Sequence, residues 1–270
     1  MPATQPTVDA VPHPAGTAIS AEDHFFYQEQ GYLILRGFFD QERIALALAD
    51  AEAARQRADL VHIDNIRCRW QDNVQTGECT FDAFDPVFDL SPACADLGTD
   101  SRLMEVMSAL YGEPARLFKD KLIYKPPAAK GYGLHQDYIS WPTFPKSFVT
   151  VLIPLDPCNA ENGCTEVFAG YHREGCLSPL DGEYHELKPE GFDPSRLVKM
   201  ELDAGDIAVF SGMAPHRSAA NQSDRWRRQL YVSYNADSDG GEQRAAHYRE
   251  FHGWLVRKYA EYGKTGVYFR

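Results

Sequence analysis

Between residues 117 and 235 the chain runs through short apolar stretches separated by turn residues, while the segments with helical character lie before and after this block. That order constrains the fold more than any other feature. Strands that follow one another without intervening helices favour a sandwich or jelly roll over alternating βαβ units. Phe148-Val149-Thr150-Val151-Leu152-Ile153-Pro154-Leu155 is the clearest strand, and Leu117 to Tyr124 forms another that stops at Lys125-Pro126-Pro127. Ahead of the block, Ser20 is a candidate N-cap, with Asp23 in the first turn of a helix reaching about Gln30. Gly31 to Gly37 then brackets a short strand. Further helices are expected over about 41–58 and 101–110, and a last one over 243–262, where Phe251, Leu255 and Tyr259 recur at helical spacing as packing residues. Residues 1–20, rich in Pro, Ala and Thr, are expected to form a flexible leader, and 21–270 a single domain.

Within the block, His135-Gln136-Asp137 follows the turn Gly131-Tyr132-Gly133-Leu134, and His216 comes far downstream. Two imidazoles and one carboxylate make a three-ligand set that leaves one face of a metal open. Non-haem Fe(II) needs that face for a bidentate co-substrate and for O2. A His-x-Asp triplet also arises by chance, as a surface loop. The downstream context adds weight. Gly205-Asp206 turns into Ala208-Val209-Phe210, and after His216 the polar turn Asn221-Gln222-Ser223-Asp224 leads to Arg227, which opens a run to Asn235. This spacing predicts a hairpin with a ligand on one strand and a cation on the next. The Arg227 guanidinium could fork onto the distal carboxylate of a keto acid, and strand alternation then turns Arg228 outward.

His135-Gln136-Asp137, the segment from Glu161-Asn162-Gly163-Cys164 to Tyr171-His172, Gly205-Asp206 and the His216 to Arg227 spacing resemble the phytanoyl-CoA dioxygenase family of Fe(II)/2-oxoglutarate oxygenases over about residues 22–260. The resemblance implies a mainly β, cupin-like double-stranded β-helix (jelly roll) with flanking helices and iron inside one end. It implies that His135, Asp137 and His216 ligate iron at the catalytic centre and that Arg227 anchors 2-oxoglutarate. It further implies that the Ser218 hydroxyl meets the same carboxylate, with Thr150 in a comparable position; either could equally be a strand hydroxyl satisfied by backbone. The implied reaction consumes 2-oxoglutarate and O2, releases succinate and CO2, and oxidises an unactivated C–H bond of a small molecule. Asp137 favours this over halogenation, because halogenating relatives have a small residue there.

The substrate is expected to be small and polar or charged: an amino-acid derivative, a phosphonate or a natural-product intermediate. Tyr138, Trp141 and Lys121 are the candidate substrate-binding residues. Trp141 either stacks on a cation or covers the barrel mouth. Arg67, Arg69, Lys119 and Lys121 fall where relatives place cations, and two of them facing inward would favour an anionic substrate. The competing readings are a cupin-type metal protein that does not use 2-oxoglutarate and a catalytically silent binding member of the family. A silent protein has no chemical reason to keep all three ligands and Arg227.

A formal net charge of −12 leaves no basic footprint for nucleic acid or anionic lipid, the densest basic cluster being Arg225, Arg227 and Arg228 around Trp226. The six cysteines form no CxxC pair, and neither a signal segment nor a long apolar run is visible. A cytoplasmic protein with reduced thiols and no membrane partner is expected, its oligomeric state open. His172 is expected to order a loop, and His185, His247 and His252 have no partner at ligand spacing.

Overall fold

A computed structural model describes residues 19–266. In chain order the elements are α1 (Ala21–Gln30), β1 (Tyr32–Leu35), α2 (Gln41–Arg55), β2 (Cys68–Asp72), β3 (Cys79–Phe84), α3 (Pro92–Gly98), α4 (Ser101–Tyr111) and β4 (Ala115–Lys125). They continue with β5 (Tyr132–His135), β6 (Val149–Pro154), β7 (Thr165–Phe168), β8 (Leu197–Lys199), β9 (Ile207–Ser211), β10 (His216–Ser218), β11 (Arg227–Ala236) and α5 (Arg244–Tyr262). The strands form a seven-stranded sheet, ordered β1-β9-β6-β11-β4-β3-β2, facing a four-stranded sheet, ordered β5-β10-β7-β8. Every pairing between these strands is antiparallel, as a jelly roll requires.

The large sheet is covered on both faces. Leu122, Tyr124, Val151, Ile153, Val209, Leu230 and Val232 pack in one cluster with Ile44 and Ala51 of α2 and Leu103 and Met107 of α4. Their neighbours Ile123, Leu152, Ala208, Phe210 and Tyr231 belong to a second cluster, shared with Val167 of the small sheet. Double coverage is why β6 is buried at every position and reads in the sequence as an apolar run interrupted only by Thr150. On the inward face of β11 polar residues replace apolar ones, so Arg227, Gln229, Tyr231 and Ser233 point between the sheets.

Local signals set the helix ends. Ser20 caps α1 in a capping box, its hydroxyl accepting from the Asp23 N–H while the Asp23 carboxylate accepts from the Ser20 N–H at 2.8 Å. The helix stops at Gly31, in the left-handed conformation at φ 77°. α2 ends at Arg55, short of the expected 58, and β2, β3 and α3 were not anticipated from the sequence. Residues 1–18 of the expected leader lie outside the described residues. Among the described residues, no helix is long and apolar enough to cross a membrane.

One expectation is corrected. His216 and Arg227 do not lie on the two strands of a hairpin: β10 pairs with β5 and β7 in the small sheet, whereas β11 pairs with β4 and β6 in the large one. The polar turn between them carries the chain across the roll. Arg227 and Arg228 alternate as expected, with Arg227 fully buried and Arg228 directed to Asp156 and Glu52.

Candidate active site

Strand pairing brings the distant ligands together. β5 ends on His135 and β10 begins on His216, and in the antiparallel register these two residues face each other. Their rings lie 4.2 Å apart between centroids, and the Nε2 atom of each is 3.7 Å from Asp137 Oδ1. Each Nδ1 is taken up by a backbone carbonyl, Gly133 at 2.8 Å for His135 and Ala214 at 3.0 Å for His216. With Nδ1–H donating, the Nε2 lone pairs are the free ones, and they point at the same place as the carboxylate. His135, Asp137 and His216 are the group of candidate ligands able to share one ion among the described residues.

Charge supports the assembly. Burial pushes the His216 imidazolium down to about 4, helped by His135, so the ring is neutral and able to ligate. Burial opposes ionisation of Asp137 as well, but His216, His135 and Lys121 outweigh it and hold the carboxyl well below the usual range. Thr150, opposite Ser233 on the neighbouring strand, donates its hydroxyl to Asp137 Oδ2 at 3.3 Å and lies 3.1 Å from the Ser233 hydroxyl. Its partner is thus the metal-facing carboxylate. Gln136 turns away and ties the loop down, donating to the Gly175 and Met213 carbonyls and accepting from the Leu177 N–H.

A second polar centre lies where β4, β10 and β11 meet. Arg227 and Lys125 are Cα partners and both are fully buried. Arg227 donates to the Gly163 carbonyl and its Nε has no hydrogen-bond partner; Lys125 donates to Gly163 O, Ala219 O and, at 3.1 Å, the Ser218 hydroxyl. Neither pairs with a carboxylate among the described residues. Burial and the adjacent Arg227 push Lys125 well below its ordinary range, and the nearby Asp82 and Glu166 carboxyls offset only part of this. Gly163 lets this happen: its φ is 71°, and a Cβ there would sit 2.3 Å from Ala219 O and 2.8 Å from Lys125 Nζ. A buried cationic pair with no carboxylate in direct contact among the described residues fits the distal carboxylate of 2-oxoglutarate. Lys125 was missed in the sequence, although it continues the inward alternation Lys119, Lys121, Ile123.

A cavity open to solvent contains His135 and Asp137 in its lining. Trp141, Phe144, Phe148, Phe251 and Trp254 form an aromatic wall, and Arg69, Asp85, Lys119 and Lys121 supply charge. Trp141 is fixed by donating Nε1–H to Gly182 O at 2.7 Å. Arg69, Lys119 and Lys121 therefore face inward, whereas Arg67 pairs with Asp89 at 2.8 Å away from the lining. Tyr138 is not a lining residue either: its N–H donates to Gly212 O, and its ring packs edge-on against Phe144 at 5.7 Å. Arg227, Lys125, Ser218 and Thr150 lie behind the lining, which Tyr132 joins to them through an N–H donated to the Ser218 hydroxyl. Asp85, Tyr184 and His247 line the cavity without having been singled out as pocket residues from the sequence.

A jelly roll with two histidines and a carboxylate at a strand-end site, next to a buried cation pair, defines a metal-dependent oxygenase of the 2-oxoglutarate type. Residues 27–229 match the family described as Phytanoyl-CoA dioxygenase (PhyH), and the chain belongs to that family of Fe(II)- and 2-oxoglutarate-dependent dioxygenases. It is 27% identical over 235 residues to a 2-aminoethylphosphonate dioxygenase from Uncultured bacterium HF130_AEPn_1, covering 83% of this chain and 84% of that one. Over 173 residues it is 32% identical to a methylphosphonate hydroxylase from Gimesia maris, covering 62% of each. The fold is shared with EctD from S. alaskensis, solved with 2-oxoglutarate and 5-hydroxyectoine, at a TM-score of 0.68 and 20% identity, covering 86% of this chain and 83% of that one.

Proposed function

We propose that His135, Asp137 and His216 hold Fe(II), that Arg227, Ser218 and Lys125 receive the distal carboxylate of 2-oxoglutarate, and that the enzyme oxidises a C–H bond of a small charged metabolite in the cavity beside Asp137. The observation that carries this reading is the buried Arg227–Lys125 pair, which lies beside the strand that carries His216 and has no carboxylate in direct contact among the described residues. Ser218 lies two residues from His216 on β10, about 7 Å along a strand, which suits a five-carbon diacid reaching from the metal to the cations. A cupin-type site that does not use 2-oxoglutarate, or a silent binding protein, would leave that pair without a function.

When bound, iron and 2-oxoglutarate together activate O2, yielding succinate, CO2 and the oxidised substrate. The chain's own residues do the positioning. The carbonyls of Gly133 and Ala214 keep both imidazoles turned with Nε2 inward, and Thr150 steadies the Asp137 carboxylate. Neither histidine has to move a proton. The aromatic wall gives the substrate an apolar side to pack against, and Trp141 and Lys121 bound the space it would occupy.

The inward cations favour a substrate with an anionic group, so phosphonates, acted on by two of the relatives, precede amino-acid derivatives and natural-product intermediates in a screen. We further propose a cytoplasmic enzyme acting on a free small molecule, without nucleic-acid or membrane partners. The six unpaired cysteines and the acidic net charge support it. The test is anaerobic addition of Fe(II) and 2-oxoglutarate to apoprotein, watching for the visible charge-transfer band of a chelated keto acid. Appearance of the band and its loss in Arg227→Ala are expected; iron binding without a band would overturn the proposal.

A further inference from the structure

His247 has no role in either centre, yet its environment is costly. The side chain is 1% exposed and neither ring nitrogen has a hydrogen-bond partner. Its ring lies 4.4 Å from Phe118 and is stacked on Phe251 at 5.8 Å, one helical turn further along α5. Burial and Lys119 push its pKa down to about 3, so it is a neutral imidazole with one donor and one acceptor. A phenylalanine would suit these neighbours better, because a buried polar group without a partner destabilises a fold. His247 nevertheless lines the cavity.

Two cations meet at the same spot. The Arg69 guanidinium is 5.1 Å and the Lys119 ammonium 5.0 Å from the centre of the Phe251 ring. Asp85, 3.4 Å from Lys119, is the acid that answers them, and despite burial Lys119 and Arg69 keep it ionised. Asp82, also in the lining, is pushed up by burial and is bound to Tyr132 and Gln71 instead. Arg69 Nη1 is held by the Ile66 and Cys68 carbonyls and the Tyr259 hydroxyl; counting Lys121, three cations face one available carboxylate among the described lining residues, Asp137 being committed to the metal. The surplus matches a dianion.

Resting on the oxygenase reading above, we infer that Arg69, Lys119 and His247 form the seat for the substrate's head, and that this head is a dianionic phosphorus oxyanion, a phosphonate or phosphate monoester. The donors come from β2 and β4 of the large sheet and from α5 packed against it, three separate points of the cavity lining that suit a tetrahedral group with three terminal oxygens. A planar carboxylate offers two oxygens, and a sulfonate carries only one charge. His247 contributes a neutral N–H, which binds an oxygen without adding to the charge already present.

The test uses protein loaded with Fe(II) and 2-oxoglutarate under anaerobic conditions, with the charge-transfer band titrated by ethylphosphonate, methyl phosphate, ethanesulfonate and propionate. A phosphorus ligand should perturb the band at a concentration at least tenfold below the other two, and the better of ethylphosphonate and methyl phosphate tells phosphonates from phosphate esters. His247→Phe should weaken that ligand at least tenfold, leave 2-oxoglutarate binding alone and raise Tm, a combination that a merely structural histidine would not give. Lys119→Met should weaken the ligand without the gain in Tm. Equal response to propionate or ethanesulfonate, no response to any ligand, or full affinity in His247→Phe would overturn the inference while leaving the oxygenase reading intact. Absence of the band before any ligand is added would overturn both.

Discussion

Arg227 and Arg228 are chemically identical neighbours on one strand, yet one is fully buried beside Lys125 and the other answers Asp156 at 2.7 Å. Charge-assisted hydrogen bonds to a carboxylate contribute roughly 1.5–3 kcal/mol, so Arg227→Ala should weaken 2-oxoglutarate binding by about ten- to a hundredfold. Arg228→Ala should leave it within about threefold, since it removes a partly exposed ion pair. Equilibrium titration of the keto acid against the two variants checks the order, and the reverse ranking would mean that the inward and outward faces of β11 have been exchanged. His135→Ala and His216→Ala should each abolish iron retention while the circular dichroism of the fold persists, because the ligands sit at strand ends; iron stoichiometry by metal analysis decides it. At this scale much was legible in the sequence, since residue type and spacing marked His135, Asp137, His216 and Arg227. Lys125 was hidden behind Pro126-Pro127, which read as the end of the strand, and Tyr138 was placed by motif adjacency although its ring turns to Phe144.

Among the elements, the start of α1 was the most predictable, because the Ser20 capping signal is local, whereas α2 stops at Arg55, short of the expected 58. Asp100 caps α4 by accepting from the Arg102 N–H. Burial would raise its pKa, but hydrogen bonds from Arg102 and Arg43 more than offset this and lower it to about 2. A carboxyl with a depressed folded pKa contributes stability that is present above its unfolded value and lost as pH falls through the folded one. Acidification from about pH 4 towards 2 should therefore remove this contribution, and Asp100→Asn, which keeps a capping side chain but no charge, should flatten that part of the curve. Urea midpoints measured across the window test it; parallel curves for the two proteins would count against the ion pairs. The expected hairpin between His216 and Arg227 failed for a physical reason. A strand–turn–strand pattern specifies two strands and a reversal, but which strand each one pairs with depends on the burial of both faces, and β10 and β11 find different partners.

Over the whole molecule, the buried histidines tie stability to pH. His247 titrates at about 3 and, without metal, His216 at about 4, both depressed from an ordinary value of 6.5. Unfolded chains take up protons that the folded protein refuses, so stability should be complete above about pH 6.5 and should decline as pH falls towards 3. His247→Phe removes one of the two sites and should make the apoprotein's decline shallower; a proton uptake on unfolding equal to that of the wild type would contradict the burial of this ring. The sequence by itself determined the sandwich-or-roll class of antiparallel strands, the Ser20 cap, the inward alternation of β11 and the candidate ligands, because each is written in residue type and in periodicities that span only a few neighbours, and the resemblance to the family narrowed the class to a jelly roll. The tertiary structure alone decided that Lys125 meets Arg227, that Thr150 steadies Asp137, and that Arg69, Lys119 and His247 gather round Phe251. Those meetings join residues from strands and helices far apart in the chain, and they are set by antiparallel register and by the packing of α5 against β4, which no local pattern encodes.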